Sequence, residues 1–352
     1  MKNYKLLCIA AAFAPMLSCA QVHKEQTLRD GWTFSFNGGE FKEVVLPHDW
    51  AISGEFDEGI DTYTTKEVRN GKEVTVLNTG TTGALPWIGK GEYRTTFKVP
   101  KQYTHAELLF DGAMAEPEVY VNGEKAGGWA YGYTPFRVDV TPYIKEGGKE
   151  NTLVKLTNAE KSSRWYPGGG LYRPVKLILS GDDAIDTWGV CITTPKVSKS
   201  EAQVKADVKL RKGFSAGLGA EFAVLDDKGN VVAQSTGTFG SQGEAQATIT
   251  LKLPRLWSPE TPSLYTLRTT VTKDGKTVDE NLTRFGVRSF SFTKEHGFLF
   301  NGATRKIKGV CMHHDLGPLG AALNKAALIR QIKILKEMGC DGIRTSHNMP
   351  ST

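Results

Sequence analysis

Two clusters of polar side chains near the end of the sequence could do chemistry. One is His313-His314-Asp315, closing the stretch GVCMHHD; the other is Arg344-Thr345-Ser346-His347-Asn348, closing CDGIRTSHN. Each follows a short apolar run that reads as a strand. A strand end crowded with hydrogen-bonding groups is where an α/β protein builds its site. An imidazole can donate or accept a hydrogen bond and changes charge near neutral pH. A guanidinium can grip a carboxylate with two parallel hydrogen bonds. The plain alternative for each residue is structural: a hydrogen-bonded histidine at a strand end, or a salt bridge within a sheet layer. Strand alternation turns His314 away from His313, so His314 and Asp315 are expected behind the site rather than in it. No CxxC or HxxxH spacing occurs, so no zinc site is legible.

The element that must position these clusters lies between them, in NKAALIRQIKILKEMG. Asn324 is a good helix N-cap and Gly339 a good residue just past its end. Leu328, Ile332 and Leu335 recur at helical spacing and predict one apolar stripe. Strand, helix and strand in this order make a βαβ unit, the opening of a parallel α/β fold. A (β/α)8 barrel takes roughly 250 residues, close to thirty per repeat. The 55 residues 298–352 hold one repeat and the next strand. If the fold is a barrel, about three quarters of it is expected to lie beyond this sequence.

Everything upstream reads as β structure. Residues 21–182 contain alternating stretches such as EYRTTFKV and FRVDVTPYI, and Asn122-Gly123 carries a hairpin-turn signal. Regular strands without helices predict a β-sandwich. A long polar loop is expected from Glu55 to Gly91, interrupted by ALPWIG, where Trp87 is a candidate exposed aromatic. Residues 183–288 give six or seven further strands, a pattern that predicts an immunoglobulin-like sandwich acting as a spacer. Residues 289–352 are the α/β segment.

Composition narrows the classes. The 352 residues are 39% hydrophobic and 23% charged, enough to bury a sizeable core. The net charge is +6, with no basic block and no basic-aromatic interleaving, which argues against a nucleic-acid partner. Residues 1–20 read as a secretory signal peptide, with Lys2 and Lys5 ahead of an apolar run too short to span a membrane. Two readings compete: cleavage before Gln21, giving a secreted or periplasmic protein, or lipidation of Cys19, giving an outer-membrane lipoprotein of a Gram-negative bacterium. Cys191, Cys311 and Cys340 are too few for a disulfide framework, and Cys311 and Cys340 are expected to be small buried core residues.

The motifs LPHDWAISGEF, GKGEYRTTFKV, VYVNGEKAGG, GYTPFRVDVTPYI and RWYPGGGLYRPVKL resemble the N-terminal jelly-roll domain of glycoside hydrolase family 2. FGVRSFSFTKEHGFLFNG resembles that family's passage from its immunoglobulin-like domain into its barrel. KGVCMHHDLGPLG and MGCDGIRTSHNMPS resemble the first two barrel strands. The resemblance spans nearly the whole chain after the leader and is nearest to secreted bacterial β-galactosidases. β-Glucuronidases and β-mannosidases share the architecture.

The resemblance implies retaining hydrolysis of terminal β-galactosyl linkages by two carboxylates about 5–5.5 Å apart. In the family both are glutamates on later barrel strands. The 352-residue chain is therefore expected to lack the acid, the nucleophile and the usual magnesium ligands, and to be inactive alone. His313 and His347 match residues that face the sugar, and Arg344 one that holds a catalytic carboxylate. Asn348 stands where many relatives carry an aromatic. Arg164 is a candidate sugar contact, while Trp165 and Tyr166 are expected to pack a domain interface. Asp49 and Trp50 are expected to be a turn residue and a core aromatic. A β-galactoside is the expected partner, and an oligomer is compatible with the family. The competing reading is a non-catalytic carbohydrate-binding module.

Overall fold

The computed structural model describes residues 23–352 apart from 58, 61, 79–81, 146, 164 and 213–214. The expected leader, with Lys2, Lys5 and Cys19, lies outside the described residues. No helix among the described residues is long and apolar enough to cross a membrane.

The first unit is a sandwich of two antiparallel sheets. One orders its strands Lys24–Thr27, Val175–Ser180, His105–Phe110 and Phe136–Asp139; the other runs Lys42–Val44, Trp32–Phe36, Gly89–Phe97, Glu150–Asn158, Glu118–Val121 and Glu124–Gly128. Alternation does the sorting: in Gly89–Phe97 the side chains of Tyr93, Thr95 and Phe97 face inward and Arg94 and Thr96 face water. Trp32, Tyr93, Leu108, Phe110 and Leu177 meet in the core between the sheets. The Asn122-Gly123 turn joins its two strands with both residues at positive φ, 52° and 90°, the backbone that a tight hairpin needs and that Asn and Gly tolerate.

Two expectations for this unit are corrected. The stretch from Glu55 to Gly91 is not simply a loop, because Tyr63–Arg69 and Lys72–Asn78 pair as an antiparallel hairpin. Trp87 is not exposed: it is 1% accessible and packs in the core. Its flanking Leu85 and Ile88 also pack there, so the apolar run dips into the sandwich.

The second unit pairs a three-stranded sheet, Ile185–Val197, Glu201–Leu210 and Glu244–Lys252, with a four-stranded one, Val231–Thr238, Leu218–Leu225, Tyr265–Lys273 and Lys276–Phe285. Val204, Phe222, Ile249 and Leu267 fill its core. Polar pairs join it to the first unit. Arg137 meets Asp186 at 2.8 Å, Thr187 donates to Glu107 at 2.9 Å, and the His23 amide donates to buried Asp279 at 3.1 Å.

A small antiparallel sheet, Phe290–Thr293, Gly297–Phe300 and Ala303–Thr304, leads into the last segment. There Gly309–Met312 and Gly342–Thr345 lie parallel, connected through the helix Lys325–Glu337. Asn324 caps that helix by accepting from the Ala327 amide at 3.1 Å. The inward stripe differs from the expected one. Leu328, Gln331 and Leu335 are half-buried, whereas Ile332 is 42% exposed. A two-stranded sheet covers only part of the helix face, and Ile332 falls outside the covered part. The two cysteines expected in the core differ as well: Cys311 is exposed and Cys340 is half-buried, because a two-stranded sheet covers neither of its faces completely.

Candidate functional site

The two strand ends come together against the first sandwich. His313 and His347 have ring centroids 5.8 Å apart. Trp165 reaches both from the sandwich loop, edge-on to His313 at 5.1 Å and tilted against His347 at 5.3 Å. These three rings form one aromatic wall, with polar imidazole nitrogens set among apolar edges. Trp165, expected to pack an interface, does so by touching the two histidines themselves.

His314 points the other way, as alternation requires. Its Nε2–H donates to the Pro167 carbonyl at 3.1 Å, and its ring packs edge-on to Tyr133 at 5.0 Å and Tyr172 at 6.0 Å. Burial pushes this imidazole below the ordinary histidine range, opposed by the Pro167 carbonyl. His314 is thus a neutral anchor behind His313. Asp315 turns back on its own loop, accepting weakly from the Gly317 amide at 3.4 Å.

Arg344 does not join the histidine wall. It pairs across the sheet with Cys311, and its Nη1 lies 3.8 Å from Cys311 Sγ. Donors from Ser346 and Arg344 lower the Cys311 thiol below its ordinary range. Asn348 accepts from the Tyr131 hydroxyl at 2.6 Å through Oδ1. Arg164 lies outside the described residues. Asp341, at the other end of its strand, is held by Arg305 at 2.6 Å and by the Lys308 amide at 2.8 Å, which is structural work.

One hub had no signal beyond the LPHDW motif. Asp49 is 1% exposed and accepts from the Ala51, Gly169 and Ala321 amides at 3.1, 3.0 and 2.8 Å and from the Tyr166 hydroxyl at 2.5 Å. Burial first, then the Asp49 charge, raises the Tyr166 phenol far above its ordinary value. Gly168 packs here under Ala321, and a Cβ on it would come within 2.4 Å of the Ala321 methyl. Asp49 is therefore more than a turn residue: it fastens the Trp165 loop and the loop after His313 to one carboxylate.

A cavity of about 60 Å3 lies behind the wall, lined by His314, Leu328, Gln331, Asn348 and Arg173 among others. Pockets that bury a drug-sized ligand run to roughly 300–1,000 Å3, and this cavity is far below that range. No group of three or more His, Cys, Asp or Glu side chains arranged to hold a metal occurs among the described residues.

Residues 18–179 match the family model for the glycosyl hydrolases family 2 sugar binding domain, and residues 190–288 match that for glycosyl hydrolases family 2. Beta-galactosidase BoGH2A of Bacteroides ovatus is 39% identical over 329 residues, covering 90% of this chain and 36% of that protein. The chain belongs to glycosyl hydrolase family 2. A β-glucuronidase of Bacteroides fragilis is 29% identical over 353 residues, covering 92% of this family 2 chain and 46% of the relative. Among solved structures, a beta-glycosidase from Bacteroides vulgatus superposes with a TM-score of 0.80 at 31% identity, over 93% of this chain and 42% of that one. The chain thus spans between about a quarter and a half of the length of the curated relatives it matches.

Proposed function

We propose that this chain supplies the two β-sandwiches and the opening of the (β/α)8 barrel of a retaining exo-β-galactosidase acting on terminal β-galactosyl linkages in oligosaccharides or glycans. The observation that carries the reading is the Trp165–His313–His347 wall at the ends of two adjacent parallel strands. An aromatic ring face packs against the apolar C–H face of a pyranose, and imidazole nitrogens donate to its hydroxyls. Arg344 faces the same side of the sheet as Cys311, with its guanidinium exposed and able to hold a carboxylate. In this reading the acid/base and nucleophile glutamates come from later barrel strands, and the present residues bind and orient the sugar. Asn348 contributes through its contact with Tyr131, and Arg164 is retained as a sugar contact. The 39% identity to a named β-galactosidase favours galactose.

A β-glucuronidase is the second reading, favoured by the similarity to a protein of that name. The test is hydrolysis of p-nitrophenyl β-galactoside and p-nitrophenyl β-glucuronide by the complete gene product, alongside galactose titration of the 352-residue chain. Galactoside turnover with no glucuronide turnover supports the first reading. Glucuronide turnover alone overturns it. Neither turnover nor galactose binding removes both. Galactose binding without turnover leaves a carbohydrate-binding module.

A further inference from the structure

Two charged side chains of opposite sign are buried in the first sandwich behind the His347 segment. Arg173 is 2% exposed and Asp111 4% exposed. Arg173 is met by carbonyls: Nη1 donates to Tyr133 O at 2.8 Å and to Asp111 O at 3.3 Å, and Nη2 donates to Met349 O at 2.8 Å. Its guanidinium also lies 5.0 Å from the centre of the Tyr172 ring. The Asp111 carboxylate accepts from the Thr352 amide at 3.2 Å and from the Thr352 hydroxyl at 2.7 Å. A third contact is the Tyr131 hydroxyl on Asn348 at 2.6 Å.

Buried charges are stable only when their hydrogen-bonding capacity is used. Here part of that capacity is used by residues 349–352, which come from the far end of the sequence. Undocking that segment would strip Arg173 of its Met349 acceptor and Asp111 of its Thr352 donors. The three contacts fall on residues immediately after His347. We propose that Arg173, Asp111 and Tyr131 form a socket on the first sandwich that positions the His347 segment, making them positioning residues for the sugar-facing wall. The proposal rests on the reading of His347 as a sugar-facing residue.

The test uses the 352-residue chain with 13C-labelled histidine, the His347 signal being assigned through His347→Gln. Methyl β-galactoside is titrated into the parent and into Tyr131→Phe, Asp111→Asn, Arg173→Met and Arg173→Lys. Tyr131 is 47% exposed, so loss of its hydroxyl leaves the core intact. The expected result is that the His347 signal moves or broadens in Tyr131→Phe, while that of His105 stays in place. Amide exchange over residues 346–352 should speed up about tenfold in Asp111→Asn and Arg173→Met, with partial recovery in Arg173→Lys. Variants that keep the His105 signal and also keep the parent's His347 signal and exchange rates overturn the socket. If Arg173→Met does not fold, Tyr131→Phe and Thr352→Val decide by the same criteria. A parent whose His347 ignores the galactoside sinks the sugar-facing reading, while the exchange rates still decide the socket.

Discussion

The Tyr166 hydroxyl donates to Asp49 Oδ2 at 2.5 Å, and that contact ties the loop carrying Trp165 to the turn that ends LPHDW. The same oxygen accepts from the Ala321 amide at 2.8 Å. Replacing Asp49 by alanine would leave three buried amides and a phenol without their acceptor. Asp49→Ala is expected to destabilise the first sandwich by about 3 kcal/mol or more. Tyr166→Phe removes one donor and should cost about 1 kcal/mol. Urea unfolding followed by tryptophan fluorescence compares the two, and equal small losses would contradict the hub.

Trp165 touches both histidines, so its removal should reach both at once. Trp165→Ala is expected to shift the NMR signals of His313 and His347 together. It should weaken galactose binding by about threefold to tenfold, the usual worth of an aromatic contact. Calorimetry and histidine NMR on the same sample check this. Unchanged affinity would remove Trp165 from the sugar-facing wall.

Trp87 makes the opposite case. It is 1% exposed in the core, so Trp87→Ala should cost about 3–5 kcal/mol. If the variant is kept folded by low temperature, its galactose affinity should match the parent's.

The buried histidines set a pH dependence. His314 is held neutral by burial, whereas in the unfolded chain it protonates near pH 6.5. Just below that value the unfolded state binds more protons, so stability falls as the pH drops through it. His105 acts in the same direction, from the same unfolded value down to about 4, where burial first and then Arg211 hold its imidazole. Glu107, pushed up by burial, works the other way at the acid end. Amide protection at residues 313–323, taken relative to the intrinsic exchange rate at each pH, should fall from pH 7 to pH 5 in the parent and less so in His314→Gln. An equal fall in both would acquit His314.

The Cys311 thiol is exposed and lowered by donors from Ser346 and Arg344. It should be alkylated by iodoacetamide at pH 7.5 ahead of half-buried Cys340, which mass spectrometry resolves by peptide. Arg344→Gln should slow Cys311 and leave Cys340 unchanged.

The strands of both sandwiches were legible because period-two alternation and turn residues are local signals, as in Gly89–Phe97 and Asn122-Gly123. The helix caps were legible for the same reason. His313 and His347 could be singled out from motif and strand end, but their 5.8 Å approach could not, since it depends on parallel pairing and on a loop more than 140 residues upstream in sequence. Trp87 was misjudged because a polar loop gives no sign that it dips into a core. Cys311 was misjudged because an apolar strand context implies burial only where something covers the strand. Asp49, Arg173 and Tyr131 had no pattern to announce them. A hydrogen bond to a backbone group 272 residues away leaves no periodicity.

The same long spans set an order of events during synthesis. Asp49 meets Ala321 across 272 positions and Asp111 meets Thr352 across 241. The strands of the first sandwich leave the ribosome well before residues 313–352, and domains fold as units from the N-terminal end. Closing such long loops early, without a formed partner, carries an entropy penalty that nothing yet offsets. The first sandwich is therefore complete and waiting when the histidine segment emerges, and that segment acquires its shape by docking onto a finished mould.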